Sequence, residues 1–237
     1  PEKTQLISTA SVPVIKLVCL DADLPVDITM EDRLRPHTGL STRTLTAQFC
    51  EKYPQVRPLA LVLKQMLHDC NLHNIYTGGI SSYFLVLLIV SYLQVYGHTS
   101  KNLGGHLLNL LDLYGNKFNF AKTQISVLEP GSHLLIPQPG SSTSSSASST
   151  PNNGSSNSIN NAAVNASPPD PSLPPLNVVD PLNPSQIVGQ SVFGMWQVQL
   201  AFRNAFAVLH MHYLEEGIPE HPTAIDQLLA SILSSPM

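Results

Sequence analysis

Apolar positions recur along the chain with two different periods, and the change from one to the other divides it. From Val12 to Leu20 the run VPVIKLVCL is apolar and rich in β-branched residues; Asp21, Ala22 and Asp23 interrupt it, and PVDITM follows with apolar residues alternating at Val26, Ile28 and Met30. That pattern predicts two strands of a hairpin. Side chains alternate across a strand, so Val26, Ile28 and Met30 are expected to face the core, and Asp27 and Thr29 fall on the face away from it. After Gly39 the period becomes helical. A helix is expected from about Leu40 to Lys52, and a second with Pro58 in its first turn and a stripe of Leu59, Val62, Leu63, Met66 and Cys70, off which Lys64 lies.

A third helix is expected to begin near Ser81, behind the turn Thr77-Gly78-Gly79. A fourth runs from an Asn102 cap through Leu103, Leu107, Leu110, Leu111 and Tyr114 to Gly115 as its stop. The longest apolar run, Tyr83 to Tyr96, has 14 residues and contains Ser91 and Gln94. Spanning a bilayer takes about 20, so this run reads as a buried core helix and no membrane partner is expected. Between Pro137 and Val179 the composition collapses into Ser, Asn and Pro with Asp170 as the one charge, and such a segment cannot offset the entropy of ordering itself. It is expected to be a disordered insertion. Order resumes with DPLNPSQIVGQS, Asp180 to Ser191, and then a helix carrying Met195, Val198, Phe202, Phe206, Leu209 and Tyr213 on one side.

Composition sharpens this. Of 237 residues only 12% are charged while 43% are hydrophobic, enough for a buried core and too few charges for a disordered polyelectrolyte. The net charge is −4 and the 12 Lys and Arg are scattered, which excludes a self-sufficient polybasic binder of nucleic acid or membrane surfaces. Cys19, Cys50 and Cys70 form no CxxC pair, and an odd count without a disulfide framework reads as a reducing compartment. The opening PEKTQLIST lacks both Met and the layout of a secretory signal, which raises the expectation that the chain is a piece of a longer protein.

Three local features invite chemistry. Asp21-Ala22-Asp23 has the DxD spacing that can hold two divalent ions, but it sits where a hairpin must turn and Asp is a favoured turn residue. Thr77-Gly78-Gly79-Ile80-Ser81-Ser82-Tyr83 places two glycines and two hydroxyls at a helix start, where free N–H groups and the helix dipole favour a phosphate and Lys64 could neutralise it. The same residues equally describe a flexible turn capped by Ser. His210 and His212, two apart on a helix, point in different directions and do not easily share a metal ion.

Read together and in order, VPVIKLV, VDIT, VLKQMLHDCNL, TGGISSYFLVLLIVSYLQ, NLGGHLLNLLDLYGNKFNF and DPLNPSQIVGQS resemble the surveillance-type poly(A) RNA polymerases of the TRAMP-like, DNA polymerase sigma group, within the polymerase-beta-like nucleotidyltransferases. The resemblance implies an α+β, mainly α fold. Residues 1–37 would be the end of a nucleotidyltransferase catalytic palm, 38–136 a helical central, poly(A)-polymerase-associated domain, 137–179 the disordered insertion, and 180–237 a nucleotide-recognition loop with a C-terminal helix. It further implies template-independent addition of AMP from ATP to RNA 3′ ends, with Mg²⁺ or Mn²⁺, in the nucleus, beside a zinc-knuckle RNA-binding protein and an RNA helicase.

Residue by residue, Asp27 would be the third catalytic carboxylate and a metal ligand. Lys64 would contact the triphosphate, Ser82 would hydrogen-bond a phosphate, and Tyr83 would stack on the base. Thr38 and Gly39 would lie near the ribose, and Gln186 and Gln190 in the recognition loop. The family's Gly-Ser signature and first DxD pair have no counterpart in these residues, so the chain alone is expected to be inactive, since one carboxylate does not suffice for two-metal catalysis. Thr38, Gln186 and Gln190 replace Asn, Asn and Arg of the family pattern. Gln186 and Gln190 make a terminal uridylyltransferase one alternative, and a non-catalytic scaffold that natively lacks the upstream carboxylates is the other.

Overall fold

The computed structural model describes residues 4–9, 12–19, 23–30, 38–97, 102–128, 131–135, 176–189 and 192–216. The chain divides into two units, Pro1–Ala47 and Gln48–Met237.

In the first unit, β1 (Gln5–Ile7), β2 (Val14–Cys19) and β3 (Leu24–Thr29) form an antiparallel sheet in that order. The expected hairpin is β2–β3, with Ile15 opposite Ile28, Lys16 opposite Asp27 and Leu17 opposite Val26. Asp23 closes the turn in the left-handed region at φ 48°, a conformation that Asp tolerates better than most residues. Asp21 and Ala22 lie outside the described residues. β1 was not anticipated, because QLI is too short for a periodicity to show. Val26, Ile28 and Met30 were expected to make a core-facing row, yet every residue of β3 is exposed and Met30 is 72% exposed. Alternation decides which side chains share a face; it does not supply what covers that face.

Helix α1 (Gly39–Lys52) starts as expected, its first turn closed by Thr42 N–H donating to the Thr38 carbonyl at 2.7 Å. In the second unit, α2 (Val56–Asp69) buries Val56, Leu59, Leu63, Met66 and Leu67. Helix α3 (Ser82–Tyr96) is buried continuously from Phe84 to Leu93, the signature of a helix surrounded by protein on all sides. The Ser81 hydroxyl caps it by accepting from Phe84 N–H at 3.1 Å. Among the described residues no helix is long and apolar enough to cross a membrane.

Helix α4 (Leu103–Asp112) is capped by Asn102, whose side chain accepts from Gly105 N–H. It does not stop at Gly115 as its glycine suggested: the chain winds on as a π turn, Leu113–Lys117. Gly115 is required there by close approach, since a Cβ on it would stand 2.7 Å from Arg203 N and 2.9 Å from Arg203 Cα. The approach comes from α5 (Met195–Glu216), which packs on α4 and the π turn with Met195, Val198 and Phe202 fully buried. Tyr213 lies on α5, but its side chain is outside the described set.

Four short strands form a second sheet that the helical periodicity gave no warning of. They are β4 (Thr123–Ser126), β5 (Ser132–Leu135), β6 (Asn177–Val179) and β7 (Ile187–Val188), in the order β5-β4-β6-β7, with β4 and β6 parallel. Structure was expected to be lacking as far as Val179, but Leu176 and Val178 are fully buried and β6 belongs to the sheet. The apolar LNVV at the end of the Pro-rich stretch is long enough to pair and pack, and averaging it with its neighbours hid that. The rest of the expected insertion, residues 137–175, lies outside the described residues.

Three polar side chains of this core find partners within it. Tyr114 Oη donates to the Leu88 carbonyl at 2.9 Å, Ser91 Oγ lies 2.7 Å from His133 Nε2, and Tyr92 Oη lies 3.2 Å from His106 Nδ1. Burial holds both imidazoles below the usual histidine pKa. The three cysteines are free.

Candidate functional site

The residues singled out above fall in both units, and each group stands by itself. On β3, the Asp27 carboxylate is 3.3 Å from Lys16 Nζ, directly across the strand pair, with about half of each side chain exposed. Thr38 and Gly39 are exposed at the start of α1. Asp27 does not by itself fit a divalent-ion site. A hard cation wants several oxygen ligands, and among the described residues no three His, Cys, Asp or Glu side chains converge on a point.

In the second unit, Lys64 is exposed on α2, off the buried stripe. The Gly78-Gly79 turn is explained by packing. Gly78 sits at φ +92°, its carbonyl accepts from Gly194 N–H at 3.1 Å, and a Cβ on Gly79 would stand 2.1 Å from the Leu72 carbonyl oxygen. With Ser81 as the cap, the turn reading accounts for every residue of this segment except two. Ser82 is exposed in the first turn of α3, and Tyr83 beside it is half-buried.

Tyr83 leads to a residue that sequence reasoning missed as a functional one. Its hydroxyl donates to Asp180 Oδ1 at 3.0 Å across 97 residues of chain. Asp180 was noted only as the first residue of a loop; nothing in NVVDPL marks its carboxylate as the partner of a helix-start tyrosine. Burial, then the hydrogen bond and negative charge of Asp180, push the Tyr83 phenol well above its ordinary pKa, so it stays a donor.

Asp180 opens the turn that joins β6 to β7, and its N–H donates to the Gln186 carbonyl at 3.0 Å to close that turn. Gln186 is therefore held at the far end of the same turn, with its side chain exposed. Gln190 lies outside the described residues. His210 is stacked on Phe206 with ring centroids 5.1 Å apart, a packing contact.

This geometry can be set beside known proteins. Residues 102–186 match the Cid1 family poly A polymerase model. The chain is 32% identical over 217 residues to the poly(A) RNA polymerase gld-4 of Caenorhabditis elegans, covering 88% of this chain and 22% of that one. It is 30% identical over 214 residues to the poly(A) RNA polymerase cid14 of Schizosaccharomyces pombe, covering 87% and 27%. The chain thus spans between a fifth and a third of the length of these relatives.

Among solved structures, the polymerase core of TRAMP, an RNA surveillance complex, superimposes with a TM-score of 0.68 at 22% identity, covering 98% of this chain and 64% of that one. The Cid1 poly(U) polymerase with Mg and 3′-dATP bound gives 0.61 at 18%, covering 96% and 70%. The expected α+β, mainly α architecture is the one these neighbours share. The chain is thus similar in sequence, over most of its length, to these poly(A) RNA polymerases, and over nearly all of its length it shares the fold of the TRAMP polymerase core.

Proposed function

We propose that this chain is part of a poly(A) RNA polymerase that adds AMP from ATP to RNA 3′ ends in nuclear RNA surveillance. The observation carrying this reading is the match to poly(A) RNA polymerases over 87% to 88% of the chain. The residue chemistry supports it. Lys64 is an exposed point charge suited to a triphosphate, Ser82 a hydroxyl at a helix start, and Tyr83 a π-face for a base. Thr38 and Gly39 are small residues suited to a ribose, and Gln186 carries a donor and an acceptor for a base edge. Asp27 is proposed as a catalytic carboxylate. Bound Mg²⁺ or Mn²⁺ would supply charge neutralisation at the α-phosphate, with further ligands than Asp27 needed to hold it.

RNA partners are proposed rather than a self-contained RNA grip, because 12 scattered Lys and Arg in 237 residues give little electrostatic footing. A zinc-knuckle RNA-binding protein and an RNA helicase are the partner classes that would supply it. Two observations favour a second reading: Gln186 departs from the family pattern, and a solved neighbour is a poly(U) polymerase, so uridylate addition is the competing activity.

The test is extension of an oligoadenylate RNA by the full-length protein with each nucleoside triphosphate in turn. ATP preference, lost in Asp27→Ala at an unchanged melting temperature, is the expected result. UTP preference would replace the adenylate reading with the uridylate one. Extension by no nucleotide, with partners present, would leave a non-catalytic scaffold.

A further inference from the structure

The recognition turn and the first turn of α3 are locked together at two points, and both locks pass through residues that no sequence pattern links. At one, Asp180 Oδ1 accepts from the Tyr83 hydroxyl at 3.0 Å and from Leu182 N–H at 3.0 Å. At the other, Gly189 sits at φ +99° against the next residue of the helix, so close that a Cβ would stand 2.4 Å from Phe84 Cε2. Between these anchors the Asp180 N–H closes the turn on the Gln186 carbonyl at 3.0 Å.

Asp180 is only 9% exposed, and among the described residues no Lys, Arg or His forms an ion pair with it. Burying a carboxylate on neutral donors is costly, and a simple turn cap could be placed in solvent for less. The arrangement makes physical sense as a positioning device. A tyrosine ring rotates about two torsions, and tying its hydroxyl to a fixed oxygen removes that freedom before a ligand arrives.

We propose that Asp180 is a positioning residue for nucleotide selectivity: its carboxylate orients the Tyr83 ring and fixes the turn that ends at Gln186, so that base stacking and base-edge reading keep one registry. This rests on the reading of Tyr83 and Gln186 as nucleotide-binding residues. Removing the carboxylate leaves both residues in place but frees their relative position. The loss falls on nucleotide binding and discrimination, with the chemical step little changed.

The experiment is steady-state extension of oligoadenylate by the full-length enzyme with ATP and with UTP, on Asp180→Ala, Asp180→Asn, Tyr83→Phe and Tyr83→Ala, each with its melting temperature. Asp180→Ala and Tyr83→Phe are both expected to raise KM for the preferred nucleotide about tenfold and to narrow the ratio of kcat/KM between the two nucleotides, with kcat within about threefold. Asp180→Asn, which still offers an oxygen to both donors, is expected to recover most of the loss. Combining Tyr83→Phe with Asp180→Ala should cost no more than Asp180→Ala alone, because that variant has already lost the Tyr83–Asp180 hydrogen bond.

If Tyr83→Ala raises KM while Tyr83→Phe and Asp180→Ala do not, the ring binds nucleotide without the latch, and the inference falls while the nucleotide-site reading stands. If Asp180→Ala lowers only the melting temperature and kcat, the carboxylate is structural and the inference falls. If Tyr83→Ala leaves KM unchanged, the reading of Tyr83 itself fails and takes the inference with it.

Discussion

The two sheets of this protein are built from similar strand residues and end in opposite situations. In the sheet of β1, β2 and β3 every described side chain is exposed or intermediate, including Leu24, Val26, Ile28 and Met30. In the sheet of β4 to β7, Ile125 and Val178 are fully buried within one core with α2 to α5. Strand propensity is alike in both, so propensity is not what separates them. What separates them is cover, because a strand's apolar face stabilises a fold only when another element removes it from water.

The contrast can be tested by mutation, and the largest effect belongs to the buried helix. Leu88→Ala, at a position with no exposure, is expected to destabilise the second unit by about 2–5 kcal/mol in urea unfolding. Gly115→Ala should come next, at about 1–3 kcal/mol, because the new methyl meets the backbone of Arg203 and Phe202 rather than a side chain that can move aside. Tyr114→Phe deletes the hydroxyl that donates to the Leu88 carbonyl, at a cost of about 0.5–1.5 kcal/mol.

Acid sharpens the same contrast without mutation. Burial lowers the folded-state pKa of His106 and His133 below the unfolded 6.5, so the unfolded chain binds more protons in that window. Their contribution is complete above about pH 6.5 and is lost as pH falls through the folded values. Urea midpoints measured across that range should fall for the wild type, and less steeply for His133→Gln. The smallest effect is expected from Ile28→Ala on β3: less than about 0.5 kcal/mol on unfolding of the second unit, since Ile28 is 43% exposed. A cost there comparable to Leu88→Ala would break the comparison and show that β3 is covered in solution.

Helix positions were legible because their signals are local. Asn102 caps α4 and Ser81 caps α3 as their side-chain chemistry demands, and the Tyr83–Tyr96 run became the buried helix its length allowed. Of the candidate site, the exposure of Lys64 followed from its place off the α2 stripe. The link of Tyr83 to Asp180 did not follow, since a contact across 97 residues leaves no mark in either neighbourhood. Gly115 misled for the same reason. A glycine that ends a helix and one that admits another helix read alike, and only the approach of Arg203 tells them apart.

What the amino-acid sequence determined by itself, then, is the set of elements whose signals lie in their own stretch of chain: the caps, the amphipathic stripes, the β2–β3 hairpin and the apolar α3. Tertiary structure alone decided which strands are covered, how the π turn meets α5, that β6 pairs in parallel with β4, and that a buried Asp180 carboxylate holds Tyr83. The physical reason is the range of the forces. Capping and periodicity act within a turn of chain, whereas burial and long-range hydrogen bonds depend on what the rest of the chain brings into contact.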